Sequence, residues 1–243
     1  MKKTAAACVF FLAATLASAI DAAEVIRRME ANQVHRTSEI EGRMVITDSF
    51  GSRTKTFKAY SMGTDKMLVE FTNREEKGQK ILRTGDAVSL YFPEAEEVIR
   101  LQGSALKDSV MGSDLSYEDF TGEKGLLELY SAQIEGNESL DGRNCYVLAL
   151  TGKKKDIAYP LQRMWVDSEL FVLRKVSSYS LSGKPLKEMT VGEIRTDSGK
   201  TFPTLLTMRD LMKKKSSTVF QIVKIRIDAP LDPRLFSREE LSW

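Results

Sequence analysis

Residues 133–151 read QIEGNESLDGRNCYVLALT. Asp141-Gly142 is the pair that a two-residue hairpin turn favours, because both central residues of a type I′ turn take positive φ. The run on each side has strand length. From Asn144 to Thr151, Tyr146, Leu148 and Leu150 point one way, while Cys145, Val147 and Ala149 point the other. A strand that is apolar on both faces is covered on both. One face is therefore the interior of a curved sheet. The other needs a second layer.

The same period of two extends in both directions. Upstream, Ile40, Met44 and Ile46 alternate with Glu39, Glu41 and Arg43. Strand runs follow over 53–62, 66–72, 80–83, 88–92 and 98–101, broken by Gly51, Gly63 and Gly85. Downstream, runs over 163–166, 170–180, 186–195, 204–209 and 217–228 are joined by short Gly- and Ser-rich turns. Val219, Val223, Ile225 and Ile227 read as one face of the last strand, opposite Phe220 and Ile222. Evenly spaced strands with tight turns predict an antiparallel meander of about eleven or twelve strands. A sheet this long curls into a barrel or half-barrel. Helices do not alternate with strands, which argues against a parallel sheet.

Two stretches break the pattern. Asp21 and Glu24 have capping-box spacing, and Val25, Ile26 and Met29 follow at helical intervals. These predict a short amphipathic helix over 22–33, which either covers the sheet or plugs its interior. Residues 102–131 are polar and punctuated by Gly103, Gly112, Gly122 and Gly125, with a helical turn or two near Leu126, Leu127 and Leu129. A further short helix is expected from Ser237.

Lys2-Lys3, an apolar run and Ala17-Ser18-Ala19 form a secretory signal pattern over residues 1–19. Residues 20–243 read as one domain. Cleavage would remove Lys2, Lys3 and Cys8, taking the formal charge from +2 to zero and leaving Cys145 as a single buried thiol. A chain without basic excess has no broad attraction for nucleic acid. The runs at 153–155 and 213–215, all lysine, read as solvated loop tips.

Chemistry is sparse. There is no G-x-S-x-G elbow, P-loop or G-x-G-x-x-G. His35, the one histidine, is expected to be exposed or to cap a chain end. Asp114, Glu118 and Asp119 form the one acidic cluster with catalytic potential, although Ser116 and Asp119 have capping-box spacing. The ten methionines suit a core that adapts to irregular apolar guests.

One set of segments carries a family resemblance. Ile99 to Ser104 comes first, and Met111 to Phe120 is the most specific part. Arg163 to Asp167, Gly183 to Lys187, Phe202 to Thr204 and Pro233 to Ser237 follow in order. Together they resemble the bacterial LolA-like, outer-membrane lipoprotein-sorting family. That resemblance implies a mainly β fold, a curved incomplete antiparallel barrel with helices closing its mouth. It also implies a periplasmic carrier that binds acyl chains of lipoproteins or other lipids without chemistry, taking cargo from an inner-membrane transporter to an outer-membrane acceptor. No cofactor, metal or nucleic acid is implied.

The expected lipid-binding wall is Ile40, Met44, Ile46, Met67, Val69, Phe71, Leu90, Phe92, Tyr146, Leu148, Leu150, Met164 and Val166. The expected lid is Leu106, Val110, Met111, Leu115, Leu126 and Leu127. Two other functions compete: a lipid hydrolase using Asp114, Glu118 and Asp119, and an envelope lipid sensor or scaffold.

Overall fold

The computed structural model describes residues 20–121 and 125–242. The signal-segment reading of residues 1–19 lies outside them. One antiparallel sheet of thirteen strands forms the body. Its first half comprises β1 (Thr37–Asp48), β2 (Gly51–Met62), β3 (Lys66–Phe71), β4 (Lys80–Thr84), β5 (Ala87–Phe92) and β6 (Glu97–Leu101). Its second half comprises β7 (Tyr130–Leu140), β8 (Arg143–Gly152), β9 (Leu161–Asp167), β10 (Leu173–Tyr179), β11 (Pro185–Asp197), β12 (Lys200–Asp210) and β13 (Ser217–Ile227). The sheet runs from β6 to β1, then β13 down to β7, so the ends β6 and β7 do not pair and the barrel stays open. Asp141 and Gly142 take φ of 51° and 75°, the geometry their sequence demands.

The helix α1 (Ala22–Gln33) starts where the capping spacing puts it, with the Asp21 carboxylate accepting the Glu24 N–H at 2.7 Å. Its Val25, Ile26 and Met29 pack with Leu148, Leu150, Met164 and Val166, so the helix plugs the interior. Over β3 to β5 the convex face is covered instead by the C-terminal segment, whereas on β8 the outward Cys145 and Val147 pack with Trp165 and Leu140 of the sheet itself and have no second layer among the described residues. Phe236 and Leu241 bury themselves against Leu68, Leu82 and Tyr91. That segment is made of 3-10 turns, Pro233–Phe236 and Glu239–Ser242, rather than a helix from Ser237.

Three other readings change. The strand expected from Leu170 begins at Leu173, because Phe171 takes φ 48° inside a turn. The β1–β13 register slips between Glu41 and Gly42, which leaves Val223 unpaired and 63% exposed. Beyond this bulge Ile225 pairs with Ile40, while Phe220 pairs with Met44. Directly paired residues share a face, so the extra residue moves Ile225 to the same side as Phe220.

His35 is also not exposed. It is 8% accessible, lies edge-on to Phe202 at 5.5 Å, and its Nδ1 has no partner. Burial lowers its pKa, and the nearby Lys200 charge adds to this. The unfolded chain therefore binds a proton near pH 6.5 that the folded chain refuses, and stability falls as pH drops through that value. His35→Phe is expected to flatten the loss of unfolding free energy between about pH 7 and 5. Urea titrations at several pH values check this, and an unchanged slope counts against it.

Candidate functional site

The interior holds two apolar clusters with a hollow between them. In the first half of the sheet, Met44, Ile46, Val69, Phe71 and Leu90 pack with Val110, Leu115 and Phe120. Phe57, Phe71, Phe120 and Phe220 form a ring group, with centroids 5.3 Å apart for Phe57–Phe220 and 5.8 Å for Phe57–Phe120. Gly42 makes room for it. A Cβ there would stand 2.4 Å from Phe57 Cζ. In the second half, α1 packs on β8, β9 and β10. Met189, on β11 in the second half, touches both clusters.

The hollow measures about 570 Å³, within the range of about 300–1,000 Å³ usual for ligand sites. Its wall includes five methionines, Met29, Met67, Met164, Met189 and Met208, together with Leu173, Val176, Leu206 and Phe220. Thioether side chains reshape around irregular guests at low cost.

All of the expected wall residues fall on the inner face. Met67 and Met164 line the hollow itself. Met44, Ile46, Val69, Phe71 and Leu90 are buried in the first cluster, with Ile40 and Phe92 packed against it. Leu148, Leu150 and Val166 are buried in the second, with Tyr146 beside them. Met189, Leu206, Met208 and Phe220 complete the wall but were not singled out as wall residues in the sequence. Met189 and Met208 alternate with polar neighbours, which was the available signal; Leu206 and Phe220 follow the apolar Leu205 and Val219 and carry no such signal. Met62, by contrast, packs on the convex face.

Between β6 and β7, residues 103–121 and 125–129 lie on the inner face. They contain α2 (Tyr117–Thr121) and α3 (Leu126–Leu129). Leu106 and Met111 pack against the first cluster, which also buries Val110 and Leu115. Leu126 and Leu127 pack against the second. Leu115 and Leu126 face the hollow. Met111 and Gly112, with φ of 50° and 74°, turn the chain so that Val110 N–H meets Leu115 O at 2.8 Å.

The edges of this segment are fastened by polar groups. Asp119 Oδ2 accepts from Lys187 Nζ at 2.8 Å and from Tyr159 Oη at 3.0 Å. Arg83 Nη1 donates to Thr121 O at 2.8 Å, and Leu126 N–H donates to Glu30 Oε1 at 2.6 Å.

The acidic cluster does not converge on one space. Asp114 is buried, accepting from Ser216 Oγ at 2.5 Å and Thr218 Oγ1 at 3.1 Å, so it anchors the segment to β13. Asp119 lines the main hollow and completes the capping box, taking Ser116 N–H at 2.9 Å. Glu118 faces a separate pocket of about 320 Å³; its Oε2 has no partner and burial raises its pKa. The three carboxylates are thus divided between two structural anchors and one half-buried acid. Among the described residues, no group of three or more His, Cys, Asp or Glu is placed to hold a metal ion.

An open, curved antiparallel sheet with helices and a methionine-lined hollow on its inner face defines a LolA-like fold. The chain belongs to a family whose model, described as that of an uncharacterized protein, matches residues 63–243. A DUF1329 family protein from Desulfovibrio piger has 26% identity and a TM-score of 0.84, covering 90% of this chain and 97% of its own. A domain described as an outer-membrane lipoprotein-sorting protein, from Vibrio parahaemolyticus, has 22% identity and a TM-score of 0.84, covering 91% and 98%. A LolA superfamily protein from Nitrosomonas europaea has 22% identity and a TM-score of 0.76, covering 91% and 100%. Comparison with curated proteins finds no match. Among the described residues, no helix is long and apolar enough to cross a membrane.

Proposed function

We propose that the protein carries acyl chains of lipoproteins or other lipids through the periplasm without altering them. The observation that supports this reading is the hollow of about 570 Å³ with five methionines in its wall, lying under a segment fastened by polar bonds. Burying one CH2 is worth about 0.8 kcal/mol, so a long acyl chain offers on the order of 10 kcal/mol before ordering costs. Shape and area alone are enough to hold it. The wall residues named from the sequence would surround the chain, and the 102–129 segment would act as the lid. An inner-membrane transporter and an outer-membrane acceptor are the partners such a carrier serves.

A lid must open for the chain to enter, and its fastenings are of a kind that water can replace. Titration with a fluorescent fatty-acyl probe is expected to give one saturable site that phospholipid empties by competition. Absence of saturable binding rejects the reading. Lys187→Met removes the Asp119 ion pair and is expected to speed probe release several-fold in stopped flow, with the number of sites unchanged. Unchanged release would mean that this pair does not hold the lid.

A further inference from the structure

We infer that one end of the sheet is a docking surface for an anionic lipid bilayer. The registers bring three hairpin tips together there. Pairing of Thr47 with Ser217 sets the β1–β2 turn beside the β12–β13 turn. Pairing of Lys187 with Asp210 sets the latter beside the β10–β11 turn, where Leu211 N–H meets Leu186 O at 2.8 Å. Pairing of Leu161 with Tyr179 and with Thr151 brings the 153–160 loop to the same end. With strands ~4.8 Å apart, neighbouring tips stand ~10 Å from one another.

Each hairpin tip holds a large apolar side chain in solvent. Phe50 is 97% exposed, Leu181 77%, Met212 54% and Leu211 47%. These are four of the eight large apolar residues exposed among the described residues. The three tips and the loop's 153–156 stretch also carry seven lysines, in the runs 153–155 and 213–215 and at Lys184, against three acids, Asp48, Asp156 and Asp210, the last 3.9 Å from Lys213. Asp48 is already paired with Arg53 at 2.6 Å. Two other connections share this end: the β3–β4 loop, where Glu75 and Glu76 are paired with Lys55 at 2.6 Å and stand beside Arg74 and Lys77, and the acidic turn with Glu94 and Glu96, which belongs to β5 and β6 at the far edge of the sheet.

Separate apolar points, with lysine in two of the three tips, fit a headgroup layer, where rings and thioethers enter the acyl boundary and ammonium groups meet phosphate. A protein partner would need a continuous buried patch instead. The surface also touches the lid, since Lys213 Nζ donates to Ser113 O at 3.0 Å and Ser109 Oγ at 3.2 Å. Docking does not depend on what the hollow holds.

Co-sedimentation with phosphatidylcholine vesicles, with and without phosphatidylglycerol, tests this. Binding is expected only to the anionic vesicles and to weaken with added salt. F50S/M212S and K214E/K215E are each expected to weaken it roughly tenfold or more, at unchanged circular dichroism and melting temperature. Met189→Trp, which fills the hollow, is expected to leave it intact, so a failure of the carrier reading would be seen separately. No vesicle binding by the folded protein overturns the inference. So does equal binding to neutral vesicles, or binding to polyglutamate but not to vesicles.

Discussion

Asp167→Ala is expected to cost about 3–5 kcal/mol of folding free energy, the loss typical of breaking a buried ion pair. The Asp167 carboxylate is fully buried and accepts six hydrogen bonds, one of them from Arg174 Nε at 3.3 Å. Arg143 Nε and Nη2 reach it at 2.9 and 3.0 Å, Arg174 Nη2 at 2.9 Å, and the backbone N–H groups of Glu169 and Leu170 at 3.1 and 3.0 Å. These tie the β7–β8 turn to the β9–β10 turn. Burial alone would raise this carboxyl's pKa, but the arginine and backbone bonds win and hold it far below the usual range. The unfolded chain then takes up a proton near pH 3.9 that the folded chain does not. The contribution is complete above that pH and is lost as pH falls below it. The wild-type advantage in urea unfolding is therefore expected at pH 7 and should shrink below about pH 4. A variant as stable as the wild type at neutral pH contradicts this account.

Met189→Asp is expected to weaken acyl-probe binding by at least roughly a hundredfold, or about 2.7 kcal/mol. Met189 stands between Val176 and Met208 in the sheet and bridges the two clusters at the hollow. A carboxylate there would face the hydrocarbon chain rather than water. The residue is only partly buried, so a modest folding loss is expected. Met189→Leu conserves volume and is expected to bind within about threefold of the wild type. Wild-type affinity in Met189→Asp would put the chain elsewhere.

The strands and turns were legible because turn chemistry is local. Asp141-Gly142 asks for positive φ and has it. The inward face was equally legible wherever alternation was unbroken, from Met44 to Ile46 and from Tyr146 to Leu150. It failed at Ile225, because a bulge at Val223 depends on a strand 180 residues away in sequence and not on its own neighbours. His35 was misread for the same kind of reason: Phe202, which covers it, is distant in the chain. A hollow with a lipid-binding wall was expected, and Met67 and Met164 of that wall line it, but its position between the two halves was not legible. Its existence rests on two clusters that each fill half of the interior and do not quite meet. The lysine runs carried no meaning singly; register alone puts them at one end.

Native mass spectrometry of the protein purified from its own cells tests the central claim most directly. The account predicts a main species heavier than the chain by the mass of one acyl-bearing lipid or lipoprotein, lost in Met189→Asp. A bare-chain mass for the wild type, with the hollow demonstrably dry or water-filled, would contradict it.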